Sequence, residues 1–198
     1  MNKTIKILFG MAFIAMLTVS CQKDTEITPQ SSQVLSNKPQ KGGAKVAATG
    51  SLTGNCATPS GGSWGLIDYN LTSNTQGLAG EVEFFDRFNA SIRPTAGYYM
   101  FIYDALGATP YNVSKTDVLG ATHVNEVGHN ANGLGWYNYG AIAMPTVQEN
   151  RLVIVANTEE LSENSEIIAL QLNSVGFTPA SCAPGQFKGL LSFEINTL

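Results

Sequence analysis

Charged residues are scarce in this sequence, and acidic residues outnumber basic ones. Charged residues make up 13% of the 198 residues. From Ser51 to Leu198 there are thirteen acidic residues and five basic ones, which gives a formal net charge of −8. Because a domain of this charge repels phosphate backbones, we expect no nucleic-acid partner. Gly, Asn, Ser and Thr are plentiful instead, as is typical of a β domain with many turns.

Histidine and cysteine are also rare, with two and three residues respectively. His123 and His129 lie six positions apart in a loop rich in Gly and Asn. This spacing fits neither a HExxH helix nor a short-spaced zinc pair. The two histidines are either exposed loop residues or ligands of haem or a transition metal. Met144 is a further candidate for a soft metal ligand, with packing in the core as the alternative.

The apolar run at the N-terminus is too short to cross a membrane. It extends from Ile7 to Leu17, eleven residues, whereas a spanning helix needs roughly 20. Lys3 and Lys6 precede it, and small or β-branched residues follow it up to Ser20. This pattern predicts a secretory signal peptide over residues 1–20, which is absent from the mature protein.

The sequence Leu17-Thr18-Val19-Ser20-Cys21 resembles the lipobox of bacterial lipoproteins. The resemblance implies that Cys21 is acylated and becomes the new N-terminus, and several acyl chains would hold the protein stably on a membrane. The alternative is an ordinary signal peptide followed by a chance cysteine. Residues 22–26 resemble the signal that sends lipoproteins of Bacteroidetes to the outer face of the outer membrane, unless they are only a solvated linker. We therefore expect a lipid anchor in the outer membrane, with the cell surface and the periplasm as the alternative faces.

Residues 21–50 are predicted to form the lipidated cysteine and a disordered linker, because they contain few large apolar residues. The remaining residues, 51–198, are enough for one domain with a substantial core. This domain contains only Cys56 and Cys182. Because export places them in an oxidising compartment, we predict a disulfide between them.

Alternation of apolar and polar residues predicts an all-β domain, most simply a β-sandwich, with a barrel as the alternative. We expect its first and last strands to lie close together, because Cys56 and Cys182 flank the domain. Helix is expected only as a turn within 158–165 and a short helix within 114–127 interrupted by Gly120. The segment 104–133 has no clear strand pattern and is long for a loop. Strands are predicted at 64–71, 80–92 with a bend near Asp86, 98–103, 134–139, 152–156, 167–175 and 187–195.

A convincing catalytic constellation is absent from the sequence. Gly61-Gly62-Ser63-Trp64-Gly65 matches the G-x-S-x-G pattern, with Asp68 and the two histidines further along the chain. However, a turn precedes this motif and a strand-like run follows it, whereas a nucleophile elbow needs a strand before it and a helix after it. The dispersed carboxylates cannot be assigned acid and base roles from the sequence. We therefore expect a protein that is not an enzyme.

Aromatic residues are concentrated in the run Trp136-Tyr137-Asn138-Tyr139. These rings either pack across strands or form a platform on which a flat apolar ligand or a sugar stacks. Together with Pro145, the strands 150–155 and 167–172 and a final alternating strand, this run resembles the C-terminal half of the HmuY-like lipoproteins of Bacteroidetes. The resemblance covers residues 133–198. It implies a β-rich, surface-anchored protein that binds haem through Met144 and a histidine of an upstream loop, either His123 or His129.

The sequence thus predicts a surface lipoprotein with a ligand-binding β domain and haem as the candidate ligand, while requiring no cofactor. The alternative is an adhesin that binds carbohydrate or a partner protein through Trp136, Tyr137 and Tyr139. An exported hydrolase ranks third.

Overall fold

The structure is a computed structural model that describes residues 48–60, 63–139 and 145–198. These ranges are nearly all β, which confirms the predicted fold class. In the same ranges, no helix has the length and apolar character needed to cross a membrane. The short helical segments are a 3-10 helix, Arg87–Asn89, and an α-helix, α1, Lys115–Val118.

The strands form three antiparallel sheets. The six-stranded sheet has the order β1 (Ala48–Thr53), β12 (Lys188–Thr197), β11 (Ile167–Thr178), β10 (Arg151–Ala156), β6 (Tyr99–Asp104) and β7 (Thr122–Val124). The four-stranded sheet has the order β3 (Thr75–Gln76), β2 (Ile67–Asn70), β4 (Val82–Phe85) and β5 (Ser91–Pro94). The small sheet pairs β8 (Tyr137–Asn138) with β9 (Thr146–Val147).

The main core lies between the two large sheets. Phe84 on β4 stacks against Phe193 on β12, with ring centroids 5.6 Å apart. Tyr69 on β2 meets both rings edge-on. Alternate residues of each strand point inward and pack against the other sheet. This is the packing of the predicted β-sandwich.

A second apolar cluster covers the outer face of the six-stranded sheet. Phe101, Leu152 and Ile154 lie there under Val118 of α1. Strand β10 is therefore buried on both faces, which explains its continuous apolar sequence Leu152–Ala156. Ser114 and Asp117 form a capping box at the start of α1, and the helix ends before Gly120, as predicted.

Strand β1 pairs with β12, so the first and last strands of the domain are neighbours as expected, although β1 was not among the predicted strands and the first of those, 64–71, contains β2 of the other sheet. Cys56 and Cys182 form the predicted disulfide, with Cα atoms 5.6 Å apart. The composition of the sequence placed the start of the domain at Ser51. The first strand begins three residues earlier, at Ala48. At Gly50, the ring of Phe193 occupies the space that a Cβ atom would need, so the absence of a side chain here allows close packing.

Two predictions for the middle of the chain were wrong in detail. The segment 104–133 does contain a strand, β7, which was missed because three residues are too few to show a period. The predicted strand 134–139 is shortened to Tyr137–Asn138, because the preceding residues bond to the loop that carries His129: Gly135 N–H donates to Asn130 Oδ1 and Trp136 N–H donates to the carbonyl oxygen of Gly128. The predicted bend near Asp86 is confirmed, since the 3-10 helix separates β4 from β5.

The chain changes sheets just after β7. Val127 pairs with Ile92 of β5 through two backbone hydrogen bonds of 2.8 and 2.9 Å. This bridge joins one edge of the four-stranded sheet to the segment that follows the edge of the six-stranded sheet. The candidate site lies at this junction.

Candidate ligand-binding site

Both histidines line one cavity of about 690 Å³, called here the histidine cavity. It opens beside the junction between the two large sheets. Its walls combine polar and apolar surface, and the lining residues used below are Asp86, Ser91, His123, Asn125, Glu126 and His129.

A second cavity of about 210 Å³ adjoins the first and is called the tyrosine cavity. It is lined by Asp86, Arg87, His129, Tyr137 and Tyr139. Because Asp86 and His129 line both cavities, a single ligand could extend across this boundary.

Each histidine is positioned by an aromatic neighbour. His123 lies opposite Phe101 in the pairing of β7 with β6, and its ring meets Phe101 edge-on with centroids 5.2 Å apart. His129 forms a parallel bridge with Tyr137, and their ring centroids are 5.9 Å apart. Both histidine residues remain exposed. Their imidazoles are therefore accessible to a ligand.

Arg151 holds the loop that carries His129. Its guanidinium makes a bidentate ion pair with Asp104, with nitrogen–oxygen distances of 2.7 and 2.6 Å. A third nitrogen donates to the carbonyl oxygen of Gly135 at 2.5 Å. Asn130 Oδ1 accepts a hydrogen bond from Gly135 N–H at 3.0 Å. Sequence reasoning did not find this role for Arg151, because its partners are distant in the chain.

The aromatic run divides between core and site. Trp136 is 1% exposed, stacks against Phe84, and donates from Nε1 to the carbonyl oxygen of Ala90 at 2.9 Å. Packing therefore accounts for Trp136, which offers no open face to a ligand. Tyr137 lines the tyrosine cavity although it is only 4% exposed. Tyr139 is half-buried and is the most accessible of the three rings.

The pKa of Tyr137 is raised to about 12. Burial is the main cause, and the negative charge of Asp86 adds to it. A hydrogen bond with the hydroxyl of Ser91 and the positive charge of Arg87 act in the opposite direction. Like an ordinary tyrosine, Tyr137 is protonated at physiological pH and can donate a hydrogen bond; the raised pKa extends this state into alkaline solution.

The turn that presents Asp86 and Arg87 has unusual backbone geometry. Asp86 has φ 59° and ψ −164°, while Phe88 and Asn89 have φ of 62° and 51°. Three non-glycine residues with positive φ in a run of four carry a conformational cost that the surroundings must offset. Such costs are concentrated at binding and catalytic sites more often than elsewhere.

Asn89 holds this turn in place from inside the domain. Its side chain is fully buried, and its Oδ1 accepts from the N–H of Asn55 at 2.9 Å. Its Nδ2 lies within hydrogen-bond distance of the carbonyl oxygens of Trp64 and Gly65, at 3.2 and 3.1 Å. At Gly189, any Cβ atom would collide with the carbonyl of Phe88. The turn is therefore held from both sides.

Several predicted site residues are not brought together. Among the described residues, no group of three His, Cys, Asp or Glu side chains could hold a metal ion. Ser63 is exposed, and within the described part of the chain it makes no hydrogen bond to a histidine. Met144, Cys21, Gly61 and Gly62 lie outside the described residues.

The residues that sequence reasoning missed are Asp86, Arg87, Ser91 and Glu126. Asp86 was noticed only as a bend and as one of several dispersed carboxylates. In the sequence, Asp86 is marked only by a break in the alternation of apolar and polar residues between two strands. Such a break indicates a turn, but it does not indicate the cavity that the turn faces.

Comparison with protein-family models, curated proteins and solved structures finds no match for this chain.

Proposed function

We propose that this chain is an exported, lipid-anchored protein that binds a ligand in the histidine and tyrosine cavities. The observation that carries the proposal is that His123 and His129, with no common strand, line one cavity. His129 and Asp86 connect it to a second cavity with two tyrosines. The volume of about 690 Å³ is within the usual range for small-molecule sites, roughly 300–1,000 Å³.

Haem is the ligand to test first. Imidazole is a common axial ligand of haem iron, and either histidine is exposed enough to coordinate it. The resemblance to HmuY-like lipoproteins points to Met144 as the second ligand. We expect purified protein mixed with haemin to give a sharpened and shifted Soret band.

The histidine variants identify which histidine coordinates the haem iron. His123→Ala and His129→Ala, made separately, should show which substitution removes the spectral shift, because solvent replaces a coordinate bond poorly. Met144→Ala tests the second position. An unchanged Soret band with the unmodified protein in both oxidation states would rule out haem. Retained binding in the double histidine variant would rule out only this choice of ligands.

Carbohydrate is the second candidate, because the histidine cavity combines polar side chains with apolar surface. Asp86, Asn125 and Glu126 supply groups that bind hydroxyls, and the ring of Tyr139 can carry the apolar face of a sugar. Calorimetric titration with mono- and disaccharides tests this reading. Tyr139→Ala should weaken sugar binding without changing a haemin spectrum. Cleavage of the sugar during the titration would instead favour the hydrolase, with Asp86 and Glu126 as the first residues to substitute.

The lipid anchor has its own test. Cys21→Ser removes the thiol that would be acylated, so we expect the variant to leave the membrane fraction and to lose label from radioactive palmitate. Protease treatment of intact cells then distinguishes a surface location from a periplasmic one. Palmitate label in the variant equal to that of the unmodified protein would contradict the anchor.

A further inference from the structure

Positive charge is rare in the domain, and most of it is already engaged. Arg93 pairs with Glu83 at 2.8 Å, and Arg151 pairs with Asp104. Lys115 donates from Nζ to the carbonyl oxygens of Glu163 and Ser165. Arg87 forms no ion pair within the described ranges, yet it lines the tyrosine cavity.

Arg87 is also held in a defined orientation. Its Cζ lies 5.7 Å from the centroid of the Tyr139 ring, which is within the range of a cation–π contact. Its backbone belongs to the turn fixed by Asn89. A guanidinium oriented in this way loses little side-chain entropy when it binds a planar anion through two parallel hydrogen bonds.

We infer that the tyrosine cavity binds a carboxylate group of the ligand, with Arg87 as its partner. This inference deepens the proposed function and rests on it. The hydroxyl of Tyr137 lines the same cavity and is a further donor for the anion. Two ligand sources share this chemistry: the propionates of haem and the carboxylate of an acidic sugar.

Asp86 sets the selectivity of the cavity. Its Oδ2 accepts a hydrogen bond from Ser91 Oγ at 3.3 Å, and its carboxylate faces both cavities. A carboxylate ligand at Arg87 is therefore repelled by Asp86 unless the ligand places hydroxyl or amine donors toward it. Arg87 thus attracts a simple carboxylate, and Asp86 repels it.

The test uses benzoate and its neutral isostere benzamide. Each is titrated calorimetrically into the full-length protein purified from the cells that express it. Both probes are small enough for a cavity of about 210 Å³. We expect benzoate to bind at least tenfold more tightly than benzamide. Arg87→Gln should weaken benzoate binding about tenfold, since a charged hydrogen bond is lost. Asp86→Asn should tighten benzoate binding about threefold.

The matched control is Arg93→Gln, which makes the same change of charge at an arginine that lines none of the cavities described above. It should leave benzoate affinity unchanged. Equal binding of benzoate and benzamide, or equal loss in Arg87→Gln and Arg93→Gln, would overturn the inference. If haemin or a neutral sugar still binds in that case, the proposed function stands and only the carboxylate subsite is wrong.

The source of the carboxylate is identified by paired ligands. Haemin is compared with its dimethyl ester, and glucuronate with glucose. Weaker binding of the ester, with the difference abolished in Arg87→Gln, supports a propionate. The same pattern for glucuronate over glucose supports an acidic sugar. If neither pair shows a difference, the inference is wrong even if all four compounds bind.

Discussion

The side chain of Gln76 takes the place of a neighbouring strand beside Thr53. Gln76 Oε1 accepts a hydrogen bond from Thr53 N–H at 2.9 Å, and its Nε2 donates to the Thr53 carbonyl oxygen at 2.8 Å. Asn74 Nδ2 donates to the carbonyl oxygen of Thr49 at 3.0 Å. Side chains of the four-stranded sheet thus satisfy the outer edge of β1, while the Ile92–Val127 bridge joins the opposite side.

Gln76→Ala should lower the free energy of unfolding by about 1 kcal/mol, because two hydrogen bonds at a solvent-accessible edge are lost. The amide of Thr53 should also exchange its hydrogen faster. Urea denaturation and amide hydrogen exchange measure the two effects. Thr75→Ala is the control, since Thr75 is exposed on the same strand and its side chain hydrogen-bonds, among the described residues, only with Ser73. Unchanged exchange at Thr53 would show that water serves this edge as well as Gln76 does.

Asn89→Ala should destabilise the domain strongly. It leaves the N–H of Asn55 and the carbonyl oxygen of Gly65 without their buried partner, and alanine tolerates the positive φ less well than asparagine. We expect a loss of about 3 kcal/mol in the free energy of unfolding, measured by urea denaturation.

Asn89→Asp is the companion variant, because it keeps an oxygen for Asn55 N–H and removes the Nδ2 donor. Its loss of stability should be substantial, since a buried carboxylate then faces two carbonyl oxygens. Equal stability of both variants and the unmodified protein would mean that Asn89 does not hold the turn.

The fold could be predicted from the sequence because its long strands bury alternate residues. In β12 the inward side chains Leu191, Phe193 and Ile195 alternate with more exposed ones, so a period of two is visible. The disulfide followed from counting cysteines in a domain that the sequence predicts to be exported. Strand β7 and the pairing of Val127 with Ile92 could not be predicted, because so few residues carry no period.

The site was only partly predictable for a different reason. His129, Tyr137 and Tyr139 are near one another in the chain, and they line the same cavity. Asp86 and Arg87 come from a turn some 40 residues earlier and reach that cavity only through tertiary packing. The sequence alone also could not show that Trp136 belongs to the core and Tyr139 to the site. Trp136 is buried through its contacts with Phe84 and Ala90, which are distant in the chain.

The disulfide should contribute strongly to stability, because Cys56 and Cys182 are 126 positions apart. In the chain-entropy model, a loop of this length is worth about 5 kcal/mol. We expect the double variant Cys56→Ala, Cys182→Ala to unfold at a much lower urea concentration than the unmodified protein. Dithiothreitol should have no further effect on the variant. A midpoint unaffected by either treatment would contradict this contribution.

Trp136→Phe and Tyr139→Ala should have opposite consequences. Trp136→Phe removes the hydrogen bond to the carbonyl of Ala90 and leaves a void in the core, so we expect a loss of about 2 kcal/mol with ligand affinity retained. Tyr139→Ala removes a half-buried ring beside Arg87, so affinity should fall more than stability. Urea denaturation and ligand titration separate the two effects. If Trp136→Phe abolished binding while the fold persisted, the division of the aromatic run would be wrong.

Tyr137 should make stability depend on pH in alkaline solution. Its pKa is about 12 in the folded protein, above the ordinary value of 10.0, because burial and Asp86 oppose its ionisation. The unfolded chain therefore releases this proton first, and the free energy of unfolding falls as pH rises from about 10 to 12. Below pH 10 the contribution is complete and constant. Over that alkaline window the loss attributable to Tyr137 is on the order of 2 kcal/mol.

Tyr137→Phe removes the ionising group and keeps the ring. The stability of the variant should fall less steeply than that of the unmodified protein above pH 10. The difference between the two curves should therefore change by on the order of 2 kcal/mol between pH 10 and pH 12. Tyr69 keeps its own raised pKa in both proteins. The free energy of unfolding of the variant therefore still falls with pH to the extent that Tyr69 causes. Urea denaturation at intervals from pH 7 to 12 measures both slopes, and parallel curves would show that Tyr137 ionises no later in the folded protein than in the unfolded chain.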